Sequence, residues 1–168
     1  MITKVFNLNI LVIIVLISSQ SFGQKAVDKF RDWTAFYDGS EKNRSCYIAS
    51  LPQKTSGKYK SRGTTGITVT HRMRKSTKNI IEIRAGYTYK KDSEVEVKID
   101  GKRFMLFTNK DSAWAYDKED SVIVRSMVRG KTMIVTGFSS RGTKTVDTYS
   151  LRGFTQAHRT IGKLCGLK

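Results

Sequence analysis

Val95-Glu-Val-Lys-Ile-Asp-Gly-Lys-Arg-Phe-Met-Leu-Phe107 carries the plainest structural instruction in this 168-residue chain. Val95, Val97 and Ile99 alternate with Glu96, Lys98 and Asp100, and a second apolar segment, 103–107, follows at once. Period-two alternation puts the three β-branched residues on one face of a strand. The Asp100-Gly101 pair between the segments suits the two-residue turn in which both positions take positive φ. The stretch therefore predicts an antiparallel hairpin, and with it a mainly β domain.

The pattern repeats outward from this hairpin. Ile67, Val69, His71 and Met73 face one way and Thr68, Thr70, Arg72 and Arg74 the other, while Ile81, Ile83 and Ala85 oppose Glu82 and Arg84. Further strands are predicted at 132–136 and 146–151, with Ser139-Ser-Arg-Gly142 as the turn between them. Toward the start, Trp33-Thr-Ala-Phe-Tyr37 and Cys46-Tyr-Ile-Ala-Ser50 read as antiparallel neighbours joined by the polar stretch 38–43. Residues 53–63 hold Lys54, Lys58, Lys60 and Arg62 with two glycines and no period, which predicts an exposed basic loop.

Two segments read as helices. Between 120 and 130 the β-branched residues favour a strand, but the boundaries favour a helix: Asp120 as the cap, Ile123 and Met127 on one face, Gly130 in the left-handed position past the end. Phe154, Ala157, Ile161, Leu164 and Cys165 then fall at helical spacing before Gly166, which predicts a terminal amphipathic helix.

Residues 1–23 differ from the rest. Lys4 precedes the apolar run 10–17, which is shorter than a bilayer requires, and Ser21 and Gly23 stand where a signal peptidase cut before Gln24 needs small residues. The expectation is a secretory signal peptide over 1–23, a mature domain over 24–168 and a periplasmic or secreted location; a retained anchor is the alternative. No later stretch is apolar enough for a transmembrane span. Export means an oxidising compartment, where the only two cysteines, Cys46 and Cys165, are expected to bridge. Collagen-like, low-complexity and disordered classes are excluded by a single Pro, scattered Gly and 39% hydrophobic residues, enough for one core at this length.

Several strings taken together resemble the invasion-associated locus B family of exported Gram-negative proteins. They are Trp33; Cys46-Tyr-Ile-Ala-Ser50; Gly66-Ile-Thr-Val-Thr-His-Arg72; Gly86-Tyr-Thr-Tyr-Lys90; Phe104-Met-Leu-Phe-Thr108; Ala113-Trp-Ala115; Gly137-Phe-Ser-Ser-Arg-Gly-Thr143; and Asp147-Thr-Tyr-Ser-Leu-Arg-Gly-Phe154. The resemblance implies an immunoglobulin-like β-sandwich with a C-terminal α-helix and a Cys46–Cys165 disulfide. It also implies an envelope or surface location, in a family named for a locus that assists some pathogens in invading red blood cells. The strong basic excess sets this chain apart from a typical member.

A search for chemistry yields little. The chain lacks a nucleophile elbow, a Ser-x-x-Lys, an H-E-x-x-H and a phosphate-binding Gly loop. His71 and His158 have no partner at metal-ligand spacing, and Asp117, Glu119 and Asp120 lack the spacing of a calcium loop and suit helix capping instead. No catalytic residue, metal or cofactor is therefore expected. Tyr87, Tyr89, Lys90 and Lys91 interleave aromatics with charge as single-stranded nucleic-acid binders do, yet they equally suit half-buried strands, and no specific nucleic acid is expected.

What stands out is charge. The formal net charge is +17, and residues 1–23 hold only one of the cations and no acid. Such a field attracts lipopolysaccharide phosphates, acidic glycans, anionic membrane or a host surface. The expected anion-binding residues are Lys54, Lys58, Lys60 and Arg62 with Arg72 and Arg74; a surface that serves only solubility is the competing reading. The alternative function is a cell-envelope hydrolase, which would require His71 or His158 to meet a carboxylate in a concave pocket.

Overall fold

Glu94–Ile99 and Lys102–Asn109 pair antiparallel, with Val97 opposite Phe104 and Ile99 opposite Lys102. Asp100 and Gly101 between them take φ 43° and 96°, the double positive φ that the tight turn demands. The Asp100 carboxylate also accepts the backbone N–H groups of Lys131 and Thr132, so the turn anchors the start of another strand.

The computed structural model describes residues 24–166; the expected signal peptide, 1–23, lies outside the described residues. In chain order the strands are β1 (Lys25–Phe30), β2 (Trp33–Asp38), β3 (Ser45–Ser50), β4 (Lys54–Gly57), β5 (Gly66–Arg72), β6 (Thr77–Arg84), β7 (Glu94–Ile99), β8 (Lys102–Asn109), β9 (Ser112–Ala115), β10 (Thr132–Phe138) and β11 (Lys144–Ser150). The helices are α1 (Asp120–Arg129) and α2 (Phe154–Leu164).

All pairings are antiparallel, and the strand order is β1-β2-β3-β5-β6-β9-β8-β7-β10-β11-β4. The mainly β, sandwich-like fold with a C-terminal helix is thus present. Its two layers are halves of one sheet that runs on through β9, whereas an immunoglobulin sandwich keeps two sheets apart. Trp33, fully buried on β2, donates its indole N–H to the Ser150 carbonyl of β11 at 2.9 Å and ties the layers together.

The alternating residues named above form the core, Ile67, Val69, Ile81, Ile83, Val95, Val97 and Leu106 among them. α2 lies against β2 and β3: Phe154 meets Trp33 edge to face at 4.9 Å, and at the other end Cys165 is bonded to Cys46. The bridge joins residues 119 apart across a Cα separation of 6.0 Å, and both cysteines are buried. Among the described residues no helix is long and apolar enough to cross a membrane.

Three local expectations are corrected. Asp120 does not cap its own helix; its carboxylate accepts the Ile81 N–H of β6 at 2.8 Å, fastening α1 to the sheet. Gly130 is extended (φ −82°) rather than left-handed, and its lack of a side chain serves close packing, since a Cβ there would stand 2.7 Å from Ile99 Cγ2 and 2.9 Å from Leu151 Cδ1. The 53–63 segment is not wholly loop: Lys54–Gly57 forms the edge strand β4 on β11. β1 and β9 have no counterpart among the strands expected from the sequence.

Candidate anion-binding groove

The chain leaving β4 folds back over the sheet, held by the Gly63 N–H on the Gly86 carbonyl at 2.9 Å, the Thr65 hydroxyl on the Arg84 carbonyl at 2.8 Å and, above all, one buried side chain. Arg62 places Nη1 and Nη2 at 2.7 and 2.6 Å from the two carboxylate oxygens of Asp147 on β11, and both side chains are buried. Its Nε donates to the Ala85 carbonyl at 2.7 Å, and the guanidinium lies 5.0 Å from the Tyr87 ring centroid and 5.8 Å from that of Tyr59. Burial pulls the Arg62 pKa down, but the Asp147 carboxylate and the neighbouring tyrosines outweigh it and the net shift is upward. Burial likewise pushes the Tyr89 and Tyr149 phenols well above their ordinary range, so both stay neutral.

Above this buried pair the surface is concave and cationic. Lys58, Tyr59, Lys60 and Ser61 face Tyr87, Thr88, Ser139, Ser140 and Arg141 across a cavity of about 490 Å³. A second cavity of about 700 Å³ shares Lys58, Arg141 and Thr143 with the first and adds Lys144. No carboxylate lines either cavity among the described residues. The turn supplying Arg141 is rigid: Ser139 N–H donates to the Thr143 carbonyl at 2.9 Å, Gly142 N–H to the Ser139 carbonyl, and Ser140 N–H to the Thr88 carbonyl.

The six residues expected to bind anions separate in three dimensions. Lys58 and Lys60 line the groove, while Lys54 is exposed on β4 outside it. Arg62 is corrected from a surface ligand to an internal brace, because Asp147 claims its charge. Arg72 and Arg74 are exposed but not near the loop: β5 starts at Gly66 beside it and ends at Arg72, six residues and about 20 Å away at strand rise. Arg141, Lys144 and Tyr59 were missed as lining residues. The only signal for Arg141 and Lys144 is one cation within a predicted turn and one just after it, which says nothing until β4 is known to pair with β11.

The aromatic residues considered for nucleic acid are otherwise engaged. Tyr89 is core, Tyr87 packs against it edge to face at 5.3 Å, and the Tyr87 hydroxyl shares a 2.6 Å hydrogen bond with Thr145.

At the far end of β5 the two histidines meet, with ring centroids 5.1 Å apart. Asn79, in the left-handed region at φ 62°, joins them: its backbone N–H donates to His71 Nδ1 at 3.1 Å and its side-chain oxygen lies 2.8 Å from His158 Nε2. No carboxylate is hydrogen-bonded to either ring among the described residues. Burial, the neighbouring His158 and Lys78 lower the His71 pKa from 6.5 to about 4, and burial lowers that of His158 too.

Between pH 6.5 and about 4 the unfolded chain takes up a proton at His71 that the folded chain refuses, so stability falls with pH across that window. The expected loss attributable to His71 is on the order of 2 kcal/mol. Urea unfolding at pH 7 and pH 4.5 should show it, and His71→Asn should narrow the gap between the two midpoints. An unchanged gap would mean that other groups set the acid sensitivity.

The domain is thus a disulfide-closed, sandwich-like β fold carrying a cationic groove. The chain belongs to the invasion associated locus B (IalB) protein family, whose family model matches residues 33–162. That membership and the buried disulfide fit an exported protein. The matched span includes β2 to β11, most of α2 and every groove residue. No curated protein and no solved structure matches the chain.

Proposed function

We propose that this protein is a non-enzymatic binding module, exported to the periplasm or the outer surface, that holds an anionic component of the cell envelope or of a host surface. The observation that supports this is the convergence of Lys58, Lys60 and Arg141 on one cavity, with Lys144 in a second that shares Lys58 and Arg141, neither lined by a carboxylate among the described residues. Charges spread only for solubility would be interspersed with acids and would not converge on a concavity. The hydrolase reading is less well supported, since its two imidazoles meet Asn79 rather than a carboxylate.

Changing Lys58, Lys60, Arg141 and Lys144 to Gln should lower retention on purified envelope at low salt by on the order of tenfold, if each exposed charge contributes roughly 0.2–1 kcal/mol. Thermal stability should hold, because Arg62 is left in place. Retention of the parent protein should fall at 1 M salt, where the screening length drops to about 3 Å. Equal retention of parent and variant, or salt-insensitive binding, would reduce the charge to a solubility feature. Anionic vesicles and extracted lipopolysaccharide, run in parallel, separate membrane from polymer as the retained partner.

A further inference from the structure

The groove contains more than charge, and the additional groups narrow its ligand. Tyr59 stands in its wall at 37% exposure with a fixed ring. Its hydroxyl is 3.1 Å from Thr55 Oγ1, and its edge lies over Gly57, where a Cβ would stand 3.0 Å from Tyr59 Cδ1. The Arg62 guanidinium, locked by Asp147, supports the ring from below. Ser61, Thr88, Ser140 and Thr143, each bearing a hydroxyl, also line this cavity. An aromatic ring held rigid, several hydroxyls and a group of cations are complementary, in that order, to the C–H face, the hydroxyls and the acid group of an acidic sugar.

Resting on the anion-binding reading above, we propose that the groove binds an acidic polysaccharide, one pyranose of which stacks on Tyr59 while its carboxylate or phosphate sits among Lys58, Lys60 and Arg141. Lys58, Arg141 and Thr143 border both cavities, and the sugar stacked on Tyr59 occupies the one that Thr145 and Tyr87 also line. A bilayer surface meets Lys58, Lys60 and Arg141 by charge alone and offers no sugar face to stack on Tyr59. Single-stranded nucleic acid wants successive stacking platforms, and here Tyr59 is the exposed ring, while Tyr87 is half-buried against Tyr89 with its hydroxyl bonded to Thr145 and Tyr89 is core.

The test measures affinity of the full mature protein for polygalacturonate and a phosphorylated mannan, with linear polyphosphate, dextran and a single-stranded oligonucleotide as comparisons. The parent should bind one or both acidic polysaccharides and not dextran; which of the two binds tells carboxylate from phosphate. Tyr59→Ala should weaken that binding about five- to tenfold and leave polyphosphate binding within about twofold, while Tyr59→Phe, which keeps the ring, should behave as the parent. Should Tyr59→Ala weaken polyphosphate and polysaccharide alike, or neither, the stacking assignment falls. The charge reading then still stands if Lys58→Gln/Lys60→Gln/Arg141→Gln weakens both polymers, and falls with it if that variant binds as the parent does. Failure to bind either acidic polysaccharide, or tighter binding of the oligonucleotide, overturns the proposal outright.

Discussion

Replacing Asp147 by Ala should cost about 3–5 kcal/mol of stability, because it leaves the Arg62 guanidinium buried without its counter-ion. The expectation rests on the asymmetry of buried pairs: forming one from solvated ions gains little, but removing one partner strands a charge in a low dielectric. Arg62 cannot escape by losing its proton, since its pKa is raised further above neutrality, and its side chain is only 6% exposed. The double replacement Arg62→Met/Asp147→Leu should therefore be far less destabilising than Asp147→Ala alone. Urea unfolding of the three variants measures this directly; a single variant within about 1 kcal/mol of the parent would mean the guanidinium reaches water. The double replacement should also loosen the start of the 58–65 segment and with it the groove, since Arg62 ties that part to Ala85 and Asp147 while Gly63 and Thr65 keep their own bonds to Gly86 and Arg84.

Converting Cys46 and Cys165 to Ser together should cost about 2–5 kcal/mol, the range for native bridges, with roughly 4–5 kcal/mol as the chain-entropy figure for a loop this long. The bridge spans 119 residues, so the cross-link restricts nearly the whole unfolded domain. The native-state consequence is more local. α2 retains its Phe154 contact with Trp33 when the bridge is lost, but near Cys165 a 3.3 Å hydrogen bond from Arg44 to the Leu164 carbonyl is a weak substitute. Amide exchange should rise at the end of α2 and stay slow at its start. Uniform protection along α2 in the double variant would show that the helix is held by packing alone.

How far the sequence could be read depended on whether a residue's fate was settled by its neighbours in the chain. The 95–107 hairpin, the β5 and β6 alternation and the amphipathic spacing of α2 are local patterns, and each formed as read. The residues that went elsewhere are those with distant partners. Arg62 sits among lysines in a polar stretch, and only Asp147, 85 positions on, makes it an internal residue. Asp120 has the chemistry of a cap, yet the nearest needy donor is the Ile81 N–H, presented by a strand 39 positions earlier. β4 has every residue exposed, so no hydrophobic period marks it as a strand. The candidate groove was half legible: Lys58 and Lys60 stood out as a charge run, whereas Arg141 and Lys144 come beside Lys58 only through the β4–β11 pairing.

That pairing has a kinetic side. Ser56 faces Val146 across 90 residues of intervening chain, and β4 occupies the end of the sheet opposite β1 although it follows β3 directly in the chain. Closing so large a loop before any contact rewards it makes the edge a late event in folding, after the local hairpins have formed. In a chain synthesised amino end first, β4 is exposed before β11 arrives to receive it. The polar character of β4, with Lys54 at its head and no apolar face to stick to other chains, then protects the polypeptide during that interval.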